Sequence, residues 1–246
     1  MEACMKILSI GNSFSDDAQR YLRDIARGEG IEIETLNLCI AGCSLETHAS
    51  NVKSGNKAYF FHYNGDVECE ELITLDDGIA MRDWDIVTVQ QVSTLSFKEE
   101  SYYPYIHEVV DYVREKLPNA KIYLHQTWAY EHGCPRVYEI TDGKGAEFML
   151  EGIRKSYERA RKEIGAEAII PSGELMELLR LNGASKIYRD TYHASMGLGR
   201  YAVGLLWFKL FTGKGVLNNT FASLDEEVCE KDLEIARRCA DSLGFI

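Results

Sequence analysis

The chain has 246 residues, of which 46% are hydrophobic and 27% are charged. These fractions are typical of soluble globular domains, and a chain of this length buries enough surface to fold without disulfides or metals. We therefore expect a single domain over residues 1–246. The formal net charge is −12 with no basic cluster, which excludes the electrostatic attraction behind nucleic-acid and anionic-membrane binding.

The cysteines and the N-terminus bear on the cellular compartment. The seven cysteines are odd in number and include no Cys-x-x-Cys pair, which favours reduced thiols. The opening MEACMKILSI is not a basic segment followed by a long apolar run, and no apolar run reaches about 18 residues. We expect a cytoplasmic protein, or a secreted one if a signal peptide has been removed.

Strand and helix patterns alternate along the chain. Short apolar segments predict strands at 5–10, 31–38, 84–90, 121–125 and 166–170. Helical patterns occur at 15–26, 101–116, 146–164, 172–181, 196–211 and 225–242. This alternation predicts an α/β protein, a three-layer α/β/α sandwich around a short parallel sheet of about five strands. Residues 41–80 and 127–145 lack such patterns and are predicted to be irregular insertions that form a binding surface.

Ligands of an open parallel sheet bind beyond the carboxyl ends of its strands. Four predicted loops, 11–15, 39–44, 90–93 and 125–128, should therefore meet in one crevice.

Ser13 follows the first strand directly and precedes a helix, so its hydroxyl should point into this crevice. A serine hydroxyl attacks a substrate only when a base takes its proton and a third group orients that base. Asp190 and His193, three residues apart in YRDTYHASMG, offer such an acid and base. The three residues together predict a nucleophilic serine site.

Each of these residues also has a structural interpretation. Ser13 is a plausible helix N-cap, Asp190 a turn former, and His193 a polar residue ahead of a helix. Metal binding by Asp190 and His193 is disfavoured because no further ligands occur at fixed spacing, and we expect neither a metal nor a cofactor. His125, which ends a predicted strand, is the alternative base.

GNSFS near the start, followed far downstream by DTYH, resembles the SGNH (GDSL-type) hydrolase superfamily over nearly the whole chain. The resemblance implies a flavodoxin-like fold, with Ser13 as nucleophile, His193 as general base and Asp190 as its orienting acid. It also implies an oxyanion hole to which the backbone N–H groups of Ser13 and of Gly42, in CIAGCS, contribute.

The chain departs from the superfamily pattern in two places. The third conserved block normally supplies an Asn amide to the oxyanion hole, whereas VTVQQVSTLS contains no Asn. Gln90 and Gln91 are both candidates to replace it. We prefer Gln90, and we keep Gln91 and Ser93 as pocket residues. Asn12 stands where many members have Asp, and we include it in the pocket. This Gln-bearing pattern is similar to an uncharacterised bacterial branch of the superfamily.

Aromatic residues around the crevice suggest a wall for a sugar ring or an acyl group. Trp128 is assigned to the substrate pocket, and Tyr130 and the aromatic residues at 59–63 are further candidates. The resemblance implies a serine esterase that acts on carboxylic esters, with a small acetyl group on a carbohydrate as the expected substrate. The alternative is a catalytically silent carbohydrate- or small-molecule-binding module. The sequence does not define the oligomeric state.

Overall fold

A computed structural model describes residues 4–67 and 71–246. Its strands are β1 Met5–Gly11, β2 Ile33–Cys39, β3 Tyr59–Tyr63, β4 Leu72–Ile73, β5 Ile86–Val89, β6 Lys121–His125 and β7 Ala168–Ile170. They form one seven-stranded sheet in the order β4-β3-β2-β1-β5-β6-β7. The pairs among β2, β1, β5, β6 and β7 are parallel, whereas β3 and β4 pair antiparallel.

Helices separate most of the strands and follow the last one. They are α1 Ser13–Gln19, α2 Leu22–Gly28, α3 Leu45–Ser54, α4 Leu75–Ala80, α5 Tyr105–Lys116, α6 Pro135–Ile140, α7 Gly145–Ile164, α8 Ser172–Leu181, α9 Leu198–Thr212 and α10 Glu230–Ser242. A short 3₁₀ helix, Glu99–Tyr102, precedes α5.

The expected count of about five strands is wrong, because residues 41–80 contain two further strands. The aromatic segment of β3, YFFHY, pairs antiparallel with β2, and β4 extends the edge of the sheet. Aromatic side chains suit strands, but the surrounding Gly, Asn and His residues concealed this pattern. Residues 41–80 also contain α3 and α4, and residues 127–145 contain α6. The predicted helix at 15–26 is divided into α1 and α2, and the last helix begins at residue 230.

Side chains of the central strands alternate between two apolar clusters, as the two-residue period of a strand requires. Leu8 and Val87, adjacent in the sheet, belong to one cluster together with residues of α3, α4, α5 and α7. Ile7 and Ile86 belong to the other cluster, to which α1, α2, α8, α9 and α10 contribute. Residues 198–208 of α9 are all buried, so this helix is a large part of the second cluster.

The sheet register brings the predicted crevice loops together. Gly11 at the end of β1 lies opposite Cys39 at the end of β2, and Ile10 lies opposite Val89 at the end of β5. The three loops that follow these strands therefore leave the sheet side by side.

No helix among the described residues is both long and apolar enough to cross a lipid bilayer. The six cysteines in the described residues are free thiols, and Cys69 lies outside them.

His48 of α3 is fully buried, and its Nδ1 lies 3.0 Å from the Tyr59 hydroxyl. Burial lowers the pKa of His48 from 6.5 to about 3. Protons therefore bind the unfolded chain first, so stability decreases as pH falls from about 6.5 towards 3.

We predict that His48→Met makes the free energy of unfolding less dependent on pH between about pH 4 and pH 6. The slope should decrease by about 1.4 kcal/mol per pH unit, because one titrating group is lost. Urea unfolding of both proteins across this range measures the slopes. Equal slopes would contradict the assignment, whatever the absolute stability of the variant.

Candidate active site

Ser13, His193 and Asp190 form a continuous hydrogen-bonded chain. Ser13 Oγ lies 2.8 Å from His193 Nε2, although the two residues are 180 positions apart. His193 Nδ1 lies 2.7 Å from Asp190 Oδ2. The structure thus brings together the three residues singled out in the sequence as nucleophile, base and orienting acid.

The hydrogen-bond partners define which nitrogen of His193 carries a proton. An ionised Asp190 can only accept, so Nδ1 of the neutral ring is the donor. Nε2 is then left with a lone pair directed at the Ser13 hydroxyl. This is the tautomer in which an imidazole takes a proton from a serine.

Asp190 is held in its ionised form. Burial would raise the pKa of its carboxyl, but hydrogen bonds from the ring and the backbone of His193 oppose burial, and the pKa is lowered overall. One of these bonds joins the His193 N–H to Asp190 Oδ1 over 2.9 Å. A carboxylate in this position favours the imidazolium that forms when His193 accepts a proton.

The turn between Asp190 and His193 contains a strained residue. Thr191 has φ of +75°, which a β-branched residue rarely adopts. Its carbonyl accepts a hydrogen bond of 2.7 Å from the Glu131 N–H, and the neighbouring Tyr192 carbonyl accepts one of 2.7 Å from Trp128 Nε1. These contacts hold the backbone of the turn in a conformation that it would otherwise avoid.

Asp17 connects α1, the serine helix, to residues 189–194, the histidine segment. It lies one helical turn after Ser13 and is 0% exposed. Its Oδ1 accepts hydrogen bonds from Arg189 Nη1 at 2.8 Å and Arg200 Nε at 2.9 Å, and its Oδ2 accepts one from the Ala194 N–H at 3.1 Å. Burial raises the pKa of the Asp17 carboxyl, whereas the two guanidiniums lower it. Burial is the larger effect, so the pKa of this carboxyl is raised overall, and the two guanidiniums offset part of the rise.

Ser13 and His193 face a pocket of about 370 Å³. The pocket is lined by residues of the serine loop, the loops after β2 and β5, the region of α6 and the histidine segment: Asn12, Ser13, Phe14, Ala41, Gly42, Val92, Ser93, Thr94, Tyr130, Arg136, Tyr192 and His193. The predicted pocket residues Asn12 and Ser93 are among them, as is Gly42, which was predicted for the oxyanion hole. Gly42 has φ of +62°, a conformation that favours glycine.

Gln90 does not line this pocket, in contrast to its predicted position in the oxyanion hole. The Phe14 N–H donates to Asn12 Oδ1 over 3.0 Å, and Gln90 Nε2 donates to the same oxygen over 2.7 Å. Gln90 Oε1 accepts from Ser15 Oγ and lies 2.8 Å from His125 Nδ1. The Gln90 amide is 2% exposed and lies behind Asn12.

Gln91 and Trp128 also lie outside the pocket. Gln91 Oε1 accepts hydrogen bonds from the N–H groups of Leu45 and Val92, while its Nε2 donates to the Ser101 carbonyl. Trp128 is fully buried. Its ring stacks on Phe14, with the centroids 4.2 Å apart. Both side chains contact residues of the loops around the pocket without lining it.

His125, the alternative base, is satisfied within the interior. Its Nδ1 contacts Gln90 and its Nε2 lies 3.1 Å from Ser172 Oγ. Burial lowers the pKa of His125 to about 3. The aromatic residues at 59–63, considered as a substrate wall, instead form β3 near the sheet edge.

Tyr192 and Arg136 are among the pocket residues that escaped the sequence analysis. Tyr192 lies inside the DTYH motif, but only its neighbours have a recognised chemical role. Arg136 lies in a segment predicted to be irregular, and nothing in its spacing relates it to Ser13. Only the fold brings their side chains to the pocket.

Asp16, Cys39 and His62 form a separate buried cluster whose potential ligand atoms lie within 4.8 Å of one another. The Asp16 carboxylate lies 2.8 Å from His62 Nδ1 and 3.4 Å from Cys39 Sγ, and it also accepts a hydrogen bond of 2.6 Å from Asn37 Nδ2. This set has donor types that suit a transition metal. The hydrogen bonds account for its arrangement without one.

Comparison with solved structures shows what the fold is similar to. A DUF4886 family protein from Bacteroides uniformis matches with a TM-score of 0.89 and 32% identity, covering 98% of this chain and 94% of that one. A candidate SGNH hydrolase from Slackia heliotrinireducens matches with a TM-score of 0.60 and 18% identity, covering 84% and 98%. An acetyl xylan esterase from Geobacillus stearothermophilus matches with a TM-score of 0.50 and 14% identity, covering 85% and 93%.

These similarities show that the chain has a fold similar to that of the SGNH hydrolases. The model of the domain of unknown function DUF4886 matches residues 6–242, and the chain belongs to this family. A search of curated proteins gave no match.

The contacts of Asp17 lead to a stability prediction. Asp17→Asn should lower the free energy of unfolding by about 3–5 kcal/mol, because it leaves the charges of Arg189 and Arg200 without their buried partner. Urea unfolding measures the loss. Asp24→Asn, at an exposed position of α2, is the matched control and should change stability by less than about 0.5 kcal/mol. Equal free energies of unfolding for the two variants would show that the ion pairs of Asp17 with Arg189 and Arg200 do not stabilise the fold.

Proposed function

We propose that this protein is a serine esterase that hydrolyses carboxylic esters through an acyl-enzyme. The chain of hydrogen bonds from Ser13 through His193 to Asp190, at the wall of a pocket, is the observation that carries the proposal. The SGNH-type fold supports it. We further interpret the two apolar clusters as the interfaces of a three-layer α/β/α sandwich, which leaves the carboxyl ends of the strands free for substrate.

In the first half of the reaction, Ser13 Oγ attacks the ester carbonyl carbon while His193 Nε2 takes the hydroxyl proton. The tetrahedral intermediate collapses by breaking the bond to the alcohol oxygen, and His193 returns the proton to that alcohol. In the second half, His193 Nε2 takes a proton from a water whose oxygen attacks the acyl carbon. The bond from that carbon to Ser13 Oγ then breaks, and His193 returns the proton to Oγ, which releases the acid and restores the serine hydroxyl. Asp190 stabilises the imidazolium in both halves.

The oxyanion needs hydrogen-bond donors, and three lie around the pocket. The backbone N–H groups of Ser13 and Gly42 donate to no acceptor among the described residues. The Asn12 amide is the third candidate. Its Oδ1 accepts hydrogen bonds from the Phe14 N–H and from Gln90 Nε2. Its Nδ2 makes only one long hydrogen bond, of 3.4 Å, to the Cys43 carbonyl, so this nitrogen can also donate to an oxyanion. We assign the role predicted for Gln90 to Asn12, with Gln90 as its positioning partner.

The acyl group is proposed to be small, and acetyl on a carbohydrate remains the preferred substrate. The pocket of about 370 Å³ is modest in size and offers the hydroxyls of Ser93 and Tyr130, 3.0 Å apart, to a polar substrate. The acetyl xylan esterase that shares the fold supports the same class.

Ser13→Ala and His193→Ala should each lower kcat on para-nitrophenyl acetate by roughly 10³- to 10⁶-fold, because the nucleophile and its base act as a unit. The double variant should be no slower than either single variant. Steady-state kinetics with circular dichroism as a folding check measures this. Near-normal turnover by either single variant would contradict the assignment, and an inactive wild type would favour a catalytically silent binding module.

Asn12→Ala should lower kcat by roughly 10²- to 10³-fold with little change in KM, as expected for a donor that acts on the transition state. Asn12→Asp should be at least as slow, because it keeps the acceptor for the Phe14 N–H but loses the donor. The same assay decides the point. If Asn12→Asp keeps wild-type kcat, the third donor is another group.

A further inference from the structure

Arg136 brings a permanent positive charge to the wall of the pocket that holds Ser13 and His193. It is the second residue of α6 and is exposed. Over residues 4–67 and 71–246, no carboxylate lies within ion-pair distance of its guanidinium. The charge of Arg136 is thus uncompensated within the described part of the chain.

Aromatic rings hold this guanidinium against the pocket wall. Its central carbon lies 4.6 Å from the ring centroid of Tyr192 and 5.8 Å from that of Tyr130. The Tyr192 ring in turn packs on the imidazole of His193, with the centroids 4.1 Å apart. A guanidinium that lies over aromatic faces keeps its N–H donors, which are in its own plane, available to a ligand. The guanidinium is also a side-chain hydrogen-bond partner of Tyr130. Because a guanidinium carries five N–H donors, most of them remain available to a ligand.

The charge is also unusual for its surroundings. The chain has 39 acidic residues against 27 lysines and arginines, and most of the arginines with assigned contacts pair with carboxylates. None of the described residues that line the pocket is an Asp or a Glu. A cation without an anion, in a pocket without carboxylates, is suited to an anionic ligand.

We propose that Arg136 binds a carboxylate carried by the ester substrate, so that the enzyme prefers anionic esters to neutral ones. The proposal rests on the proposed function of the same pocket. A planar guanidinium matches a carboxylate through two parallel hydrogen bonds, and one cation balances the single charge of that group. The substrate class is therefore an acetyl ester of a uronic or other hydroxy acid. If the carboxylate lies on the acyl side, the class is instead a half-ester of a short dicarboxylic acid, which replaces the acetyl ester.

Two pairs of esters test the proposal and show which side of the substrate carries the charge. Para-acetoxybenzoate and para-acetoxybenzamide differ in charge on the alcohol side. Mono(para-nitrophenyl) glutarate and the para-nitrophenyl ester of glutaramic acid differ in charge on the acyl side. In each pair the neutral member is an amide of nearly the same shape, so kcat/KM within a pair isolates the effect of the carboxylate.

The wild type should prefer the anionic member of one pair by about tenfold or more in kcat/KM, mainly through KM. Arg136→Gln should reduce that ratio to about one. Arg238→Gln, which removes one positive charge at an exposed position of α10, should keep the wild-type ratio. The proposal is overturned if the wild type shows no preference in either pair, or if Arg136→Gln retains the preference.

Binding to the Ser13→Ala protein separates this proposal from the proposed function. Calorimetry with the same four esters, with and without Arg136→Gln, gives affinities that do not depend on turnover. If the wild type hydrolyses none of the esters but Ser13→Ala binds an anionic ester tenfold more tightly through Arg136, the carboxylate site stands and the esterase proposal fails. If turnover is normal and binding shows no dependence on Arg136, the carboxylate site is disproved and the esterase proposal stands.

Discussion

The candidate site depends on one buried carboxylate. Ser13 and His193 lie near opposite ends of the chain, and a hydrogen bond between two partly exposed side chains is too weak to bring those ends together. Asp17, on the serine helix, binds Arg189 and the Ala194 N–H on either side of the turn that carries the histidine. Because such a group is costly to bury without its partners, the segment and the helix are held in a single relative position. The geometry of the serine and the imidazole follows from that position.

A second buried network sets the orientation of the pocket amide. A backbone N–H can only donate, so the contact from Phe14 defines which end of Asn12 is the oxygen. Gln90 then donates to the same oxygen, and its own oxygen accepts from Ser15 and faces His125. The Gln90 side chain therefore ends inside the protein, where it contacts Asn12 and does not line the pocket. Under the proposed function, Asn12 is the amide donor of the pocket and Gln90 is its positioning partner.

The sequence was most informative where chemistry is local. The alternation of apolar segments predicted all five parallel strands, and the short spacing between Asp190 and His193 predicted an acid and base in contact. Asp17 and Gln90, whose contacts are with residues distant in the chain, were missed or misplaced. In the sequence, Asp17 looks like an ordinary helix residue, because its partner Arg189 lies 172 positions away along the chain. The position of Gln90 depends on contacts with two other segments, residues 12–15 and His125, which a strand pattern cannot supply.

The central claim is that Ser13 is a nucleophile activated by His193, and covalent labelling tests it most directly. A fluorophosphonate forms a stable bond only with an activated serine, and peptide mass spectrometry locates the adduct. The account predicts a single modified residue, Ser13, with labelling much slower in His193→Ala and absent in Ser13→Ala. A folded wild-type protein that is not labelled, or that is labelled at another residue, would contradict it.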